Sequence, residues 1–201
     1  MFVKSPAIIK KVFPDLVWDI KTSEKEIYLT FDDGPHPEIT RKVIELLDKY
    51  DAKATFFCVG ENVMNYPNTF KLIIGNGHQA GNHSYNHING WKVSNHDYFE
   101  NIEKADQLIN SHLFRPPFGR IMPSQIKALK EKYSIIMWSV LTYDFDMKVN
   151  QEKCLKNSIR ATKPGSIIIF HDSKKAEKNL LYALPVFLQH FYDKGFAFKL
   201  L

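Results

Sequence analysis

The chain has 201 residues, 44% of them hydrophobic and 24% charged, which is the composition of a globular domain large enough to bury a core without a structural metal. The formal net charge is only +5, and no basic run is interleaved with aromatic residues, which argues against the common nucleic-acid-binding patterns. The two cysteines, Cys58 and Cys154, are too few for a disulfide framework, so we expect free thiols.

Short β-rich runs alternate with helical stretches along the chain. Predicted strands occupy residues 26–31, 54–59, 78–82, 113–115, 135–138, 166–170 and 196–200, and predicted helices occupy 37–50, 62–75, 95–111, 123–133, 150–162 and 178–192. This alternation is typical of a parallel sheet covered by helices, and the number of repeats favours a closed or nearly closed barrel. Residues 17–20 are a candidate extra strand that seals its N-terminal side.

Side chains suited to catalysis follow the carboxyl ends of the predicted strands. They are Asp32, Asp33, His83, His87, Arg115, Asp144 and His171. Barrel enzymes place their active sites at this face, whereas a random scatter of polar residues would also occupy the opposite strand ends. The shared placement predicts an active site there.

His83 and His87 are four residues apart, so on a helical turn they share a face and can converge on one metal ion. Asp33 adds a carboxylate oxygen from a neighbouring strand end. Two histidines and one carboxylate leave positions for water and substrate, which suits hydrolytic zinc and equally suits non-haem iron oxygenases. The three residues therefore predict one divalent metal, zinc with cobalt, nickel or iron as alternatives, without fixing the reaction.

The remaining residues of this set suggest proton transfer and oxyanion binding. Asp32 points away from its neighbour Asp33 and can face the reacting atom, although an ordinary Asp-Gly turn is the alternative. Arg115 can brace a carboxylate, and the prolines after it can hold the N–H of Phe118 towards an oxyanion, although a salt bridge and a plain loop fit as well. His171 leaves a buried strand and can donate a proton, unless it is a satisfied histidine beside a helix-capping aspartate.

Five motifs in order resemble those of the polysaccharide deacetylases, the NodB-like family of carbohydrate esterases (family 4). They are TFDDGP at 30–35, HSYNH at 83–87, RPPFG at 115–119, DF at 144–145 and IFH at 169–171. The first matches the family motif letter for letter, and the five together are far more specific than any one alone. The departures are Phe118 for a common Tyr, Phe145 for Trp and Ile169 for Leu.

The resemblance implies a single-domain α/β fold, a distorted (β/α)7-type barrel. Residues 1–25 would form an N-terminal extension packing on the barrel, and 26–201 the catalytic domain. The implied roles are metal ligation by Asp33, His83 and His87, general base catalysis by Asp32 and general acid catalysis by His171. Arg115 would position Asp32, and Asp144 would tune His171.

The implied function is a metal-dependent hydrolase acting on a carbon–nitrogen bond. It would remove N-acetyl groups from an amino sugar or polysaccharide, releasing acetate and leaving a free amine. We expect substrate contacts from Phe118, Phe145, Ile169 and Trp138, with Phe145 and Ile169 around the acetyl methyl group. Open alternatives are the same chemistry on a non-polymeric or lipid-linked amide, a non-catalytic glycan-binding homologue, and a non-haem iron oxygenase.

The sequence also suggests where the chain acts. Residues 1–20 have no sustained apolar run and no small-residue cleavage site, so they do not resemble a secretory signal. No segment approaches the roughly 20 apolar residues needed to span a bilayer. We therefore expect a cytoplasmic monomer with no transmembrane segment and no nucleic-acid partner.

Overall fold

The computed structural model describes residues 3–201, so the first two residues of the predicted extension lie outside it. Its strands are β1 Glu26–Asp32, β2 Ala54–Cys58, β3 Gln79–Asn82, β4 Leu113–Phe114, β5 Ser134–Ile135, β6 Val140–Leu141, β7 Ile167–His171 and β8 Ala197–Phe198. Its helices are α1 Ala7–Val12, α2 Ile39–Asp48, α3 Gly60–Asn65, α4 Pro67–Gly75, α5 Asn95–Ile109, α6 Pro123–Leu129, α7 Gln151–Ala161 and α8 Glu177–Asp193, with a short 3₁₀ turn at Pro117–Gly119.

The strands form one parallel sheet in the order β5-β4-β3-β2-β1-β7-β6, and β8 pairs with the start of β1. Within the described residues the end strands β5 and β6 do not pair with each other, so the sheet curls into an incomplete barrel. The predicted α/β barrel-like fold is confirmed. Because β1 lies between β2 and β7, its carboxyl end is beside those of both neighbours.

The gap between the end strands is spanned by backbone from the N-terminal side. Val17 bridges to Ile136, just after β5, and Lys4 bridges to Val140 in β6. Asp19 forms a third bridge, to Ser166 just before β7. The extra strand predicted at 17–20 is therefore reduced to isolated bridges, because the segment changes partner within two residues.

The longer helices and strands bury the residues that their apolar spacing in the sequence predicts to be buried. β2 is buried along its whole length, as a strand covered on both faces must be. α2 buries Ile39, Val43 and Leu47 at helical spacing and leaves Arg41 in water. No helix within residues 3–201 is long and apolar enough to cross a membrane.

Three local predictions need correction. The helix predicted at 62–75 is two helices, because Pro67 restricts Tyr66 to a non-helical conformation (φ −128°, ψ 55°). The strand β6 at Val140–Leu141 was not predicted, since two residues show no periodicity. The helix α1 was not predicted either, because Pro6 and Pro14 suggested a broken segment, whereas the helix fits between them.

Candidate active site

Asp33, His83 and His87 converge at the carboxyl end of the sheet. One ligand-type atom from each lies within 4.8 Å of the others. Asp33 Oδ1 is 3.2 Å from His87 Nε2 and 3.7 Å from His83 Nε2. The expected helical turn between the histidines is absent from this stretch: residues 83–87 form a bend, and His87 reaches the site with a left-handed backbone, at φ 57°. Asp33 is left-handed as well, at φ 75°.

The surroundings of these three residues fit a divalent cation. His83 Nδ1 lies 2.8 Å from the Arg115 carbonyl oxygen and must donate to it, which leaves the Nε2 lone pair towards Asp33. Burial lowers the pKa of His83 to about 4, against the raising effect of Asp32, so the ring is neutral at pH 7. Burial raises the pKa of Asp33, but a hydrogen bond from His87 and the nearby His171 hold it well below its usual range. A neutral imidazole and an ionised carboxylate are the forms that ligate zinc.

Asp32 ends β1 and is held by Arg115. Arg115 Nη1 donates to Asp32 Oδ1 at 2.6 Å and also to Thr30 Oγ1 at 2.7 Å. The other guanidinium nitrogens donate to the carbonyls of Ile136 and Met137 at 3.2 Å and 2.9 Å. Arg115 is fully buried, so the expected bracing of a carboxylate is present, with one oxygen of Asp32 engaged rather than two. Asp32 Oδ2 lies 3.9 Å from His83 Nε2, on the side of the three ligand residues.

His171 ends β7, directly beside Asp32 in the parallel register. Its Nδ1 lies 2.7 Å from Asp144 Oδ1, and its backbone N–H donates to Asp144 Oδ2 at 2.7 Å. Burial lowers the pKa of His171, but the charge and hydrogen bond of Asp144, with Asp33 and Asp32 nearby, outweigh it and raise the pKa to about 9. The ring is therefore protonated at pH 7, with Nε2 as the nitrogen free to face the cleft.

These groups share one cleft of about 420 Å³. All four predicted substrate contacts line it: Phe118, Phe145, Ile169 and Trp138. The Phe118 ring is 60% exposed and lies edge-on to His87, with 4.4 Å between centroids. The Phe145 ring lies 4.7 Å from that of His171. Leu141 and Lys175 also line the cleft and were missed, since Leu141 belongs to the unpredicted β6 and Lys175 to a loop without a motif.

Asp172, the aspartate considered as a helix cap after His171, does not cap α8, because that helix begins at Glu177 with Ala176 as its N-cap. Asp172 is fully buried, and its Oδ2 accepts a hydrogen bond from Thr40, while its Oδ1 has no partner among the described residues. Burial raises the pKa of this carboxyl to about 7, partly offset by the hydrogen bond from Thr40. A Cβ on Gly34 would lie 2.1 Å from Asp172 Oδ2, so only glycine fits directly after Asp33.

The polysaccharide deacetylase family model matches residues 19–133 of this chain. The chain belongs to the polysaccharide deacetylase family. A peptidoglycan-N-acetylglucosamine deacetylase of Bacillus cereus is 37% identical over 158 residues, 75% of this chain and 57% of that protein, so the match spans little more than half of that relative. A second Bacillus cereus protein of the same name is 31% identical over 190 residues, 91% of this chain and 89% of that protein.

Solved structures agree with this family. The crystal structure of the Bc1960 peptidoglycan N-acetylglucosamine deacetylase superposes with a TM-score of 0.90 at 32% identity, over 98% of this chain and 95% of that one. A CE4 family pseudoenzyme from Bacillus anthracis superposes with a TM-score of 0.79 at 26% identity, over 90% of this chain and 65% of that one. The comparisons confirm the predicted family, and the relatives' names agree with the predicted enzyme class. The pseudoenzyme shows that the fold alone does not secure activity.

Proposed function

We propose that this chain is a metal-dependent deacetylase that hydrolyses the N-acetyl group of an amino sugar. One observation carries the proposal: candidate metal ligands and two candidate proton-transfer groups line the same cleft. A three-residue ligand group shares this cleft with a carboxylate held by Arg115 and a histidine held by Asp144. A glycan-binding protein needs neither proton-transfer pair, and an iron oxygenase would leave both without a role.

A divalent metal held by Asp33, His83 and His87 would supply a Lewis acid that polarises the acetyl carbonyl and makes water more acidic. Asp32 accepts the proton of the attacking water. Arg115 keeps Asp32 oriented for this step, because the guanidinium is fixed by three further hydrogen bonds.

The leaving group needs a proton, because an amide nitrogen departs poorly as an anion. His171 supplies it from Nε2. Asp144 accepts a hydrogen bond from Nδ1–H, which fixes the ring and favours the imidazolium form. The general acid is therefore protonated at neutral pH. His171 and Asp32 stand on adjacent strands, so acid and base reach the scissile bond from neighbouring positions of the sheet.

The developing oxyanion requires a fixed donor, and we assign it to the backbone N–H of Phe118. The loop is held by Pro116 and Pro117 and by the hydrogen bond from Gly119 N to the Pro116 carbonyl, 3.0 Å. Because only the backbone acts, phenylalanine in place of the usual tyrosine preserves the function. Phe145 and Ile169 supply the apolar wall against which the acetyl methyl group packs.

Proteins compared above are named peptidoglycan N-acetylglucosamine deacetylases, and we extend that sugar to this chain as the substrate unit. Zinc is the proposed metal, since two neutral imidazoles and one carboxylate with open positions are its usual catalytic ligands. The alternative metals compatible with this set are cobalt, nickel and iron.

The test is acetate release from a panel of N-acetylglucosamine glycosides and oligomers. The protein is stripped with a chelator and reloaded separately with zinc, cobalt, nickel or iron. We expect release only after reloading, and an Asp32→Asn protein with normal metal content should be nearly inactive. Glycan binding without acetate from any reloaded form would identify a non-catalytic homologue instead. Oxygen consumption that depends strictly on iron would identify an oxygenase.

A further inference from the structure

A second cavity, of about 360 Å³, opens beside the catalytic cleft. We call it the apolar groove. Its walls come from α1 and the segment after it (Ile9 and Phe13), from Trp91 and from Ile126 in α6. Its volume lies in the range of ordinary small-molecule sites, roughly 300–1,000 Å³. Among the described residues, Phe118 is the only one of the proposed catalytic set that lines it.

The apolar groove is continuous with the catalytic cleft. Phe118, Gly119, Trp138 and Leu141 line both cavities. An amino sugar whose acetamido group reaches the ligand residues therefore has part of its remaining structure beside this groove. The groove belongs to the substrate path and is not an isolated surface depression.

The lining favours an apolar occupant over further sugar rings. Two of its polar groups are already used within the protein: Ser5 Oγ donates to the Trp138 carbonyl at 2.5 Å, and Trp18 Nε1 donates to the Phe13 carbonyl at 3.2 Å. A pyranose would bring several hydroxyls that need partners of their own, and burying them without partners is costly. An alkyl chain has no such requirement.

Several of the apolar side chains that line the groove are exposed to solvent. Ile9 is 39% exposed, Trp91 is 59% exposed and Phe118 is 60% exposed, and all three line the same cavity. Neighbouring exposed apolar side chains around a cavity mark a binding site, because water contact with them is unfavourable.

We propose that the apolar groove binds the alkyl or acyl chain of an amphiphilic amino sugar. The substrate would then be a lipid-linked or acylated N-acetylglucosamine compound, with its acetamido group in the cleft and its chain along α1. This inference rests on the proposed function, because it assumes that the cleft processes the acetamido group.

The test uses alkyl β-glycosides of N-acetylglucosamine, from methyl to octyl, each below its critical micelle concentration, with zinc-loaded protein. We expect kcat/KM for acetate release to rise roughly two- to fourfold with each added methylene until the groove is filled. Ile9→Lys places a charge in the groove and should lower the octyl-to-methyl ratio about tenfold. The matched control is Ile8→Lys, on the neighbouring, 70% exposed residue that does not line the groove, and it should keep the ratio.

A second measurement is independent of the metal and of catalysis. The deacetylated alkyl glucosaminides are titrated calorimetrically into metal-free protein. Affinity should rise with chain length, and the heat capacity change should be negative, as burial of apolar surface requires. Ile9→Lys should remove this dependence on chain length and Ile8→Lys should not.

The outcomes separate the two proposals. Acetate release that does not depend on chain length would overturn the groove assignment and leave the proposed function standing. A gain from added sugar units but not from added methylenes would also overturn it, because sugar rings would then be the occupant. No acetate from any glycoside, together with chain-length-dependent binding, would overturn the proposed function while supporting the groove.

Discussion

Replacing Arg115 with methionine should lower the free energy of unfolding by about 3–5 kcal/mol, the usual loss when one partner of a buried ion pair is removed. Arg115 is fully buried, and its guanidinium donates 4 hydrogen bonds within the protein. Methionine is a flexible apolar side chain that can occupy much of the same space. The main loss is therefore electrostatic, because the Asp32 carboxylate stays buried without its partner.

A second substitution isolates that electrostatic part. In the Arg115→Met background, Asp32→Asn removes the unpaired charge and leaves an amide of the same shape. The double variant should be more stable than Arg115→Met by about 1–3 kcal/mol, the cost of leaving a buried polar or charged group unsatisfied. Residues in direct contact are where such non-additivity is expected.

The assay is urea unfolding of metal-free protein followed by circular dichroism, so that metal binding does not contribute. For a domain of this size, the single variant should also lower Tm by roughly 6–20 °C. Arg41→Met, on the exposed face of α2, is the matched control and should stay within about 0.5 kcal/mol. A loss below about 1 kcal/mol for Arg115→Met, or a double variant no more stable than the single one, would show that Arg115 does not stabilise the fold through the charge of Asp32.

Further expected effects concern the proposed metal ligands and the proposed proton-transfer groups. Asp32→Asn should lower acetate release at least about 100-fold, while calorimetry still detects zinc binding; near-normal turnover would exclude Asp32 as the base. His87→Ala should weaken zinc binding at least about 100-fold, because losing even a residue that only hydrogen-bonds to a metal ligand costs about 10–100-fold. His96→Ala, at a 79% exposed side chain, should not change it. Because Asp144 and the other carboxylates outweigh burial and raise the pKa of His171 to about 9, kcat/KM should fall as pH rises through that value and the acid loses its proton. Asp144→Asn should move this fall towards 6.5, and an unchanged profile would exclude His171 as the acid.

The long elements of the fold could be predicted from sequence because their patterns repeat over several turns or residues. α2 and β2 show this well, since one has helical spacing and the other is a continuous apolar run. β6 could not be found in this way: it has two residues, and its strand conformation depends on pairing with β7. Pro67 is a sequence signal for a helix end. The apolar residues on both sides of it nevertheless have helical spacing, so α3 and α4 were predicted as one helix.

The members of the candidate site could be predicted, but their geometry could not. The motifs and strand ends pointed to Asp33, His83 and His87, and the structure brings their ligand atoms together. The left-handed backbone at His87 carries no sequence signal, because histidine only occasionally adopts it. Asp172 was undervalued for another reason: its closeness to Gly34 depends on the pairing of β1 with β7, which no local pattern encodes.

The position of β1 between β2 and β7 also has a consequence for folding. β2 begins 22 residues after the end of β1, at Ala54, whereas β7 begins only at Ile167. During synthesis, one edge of the strand that carries Asp32 therefore stays unpaired until most of the chain has been made. Such an edge can pair with other chains, and contacts this distant in sequence form slowly. Asp32 and His171 lie on two neighbouring strands that are far apart in the chain. We therefore expect catalytic competence to arise late in folding, after the candidate ligands in the first half of the chain can already be in place.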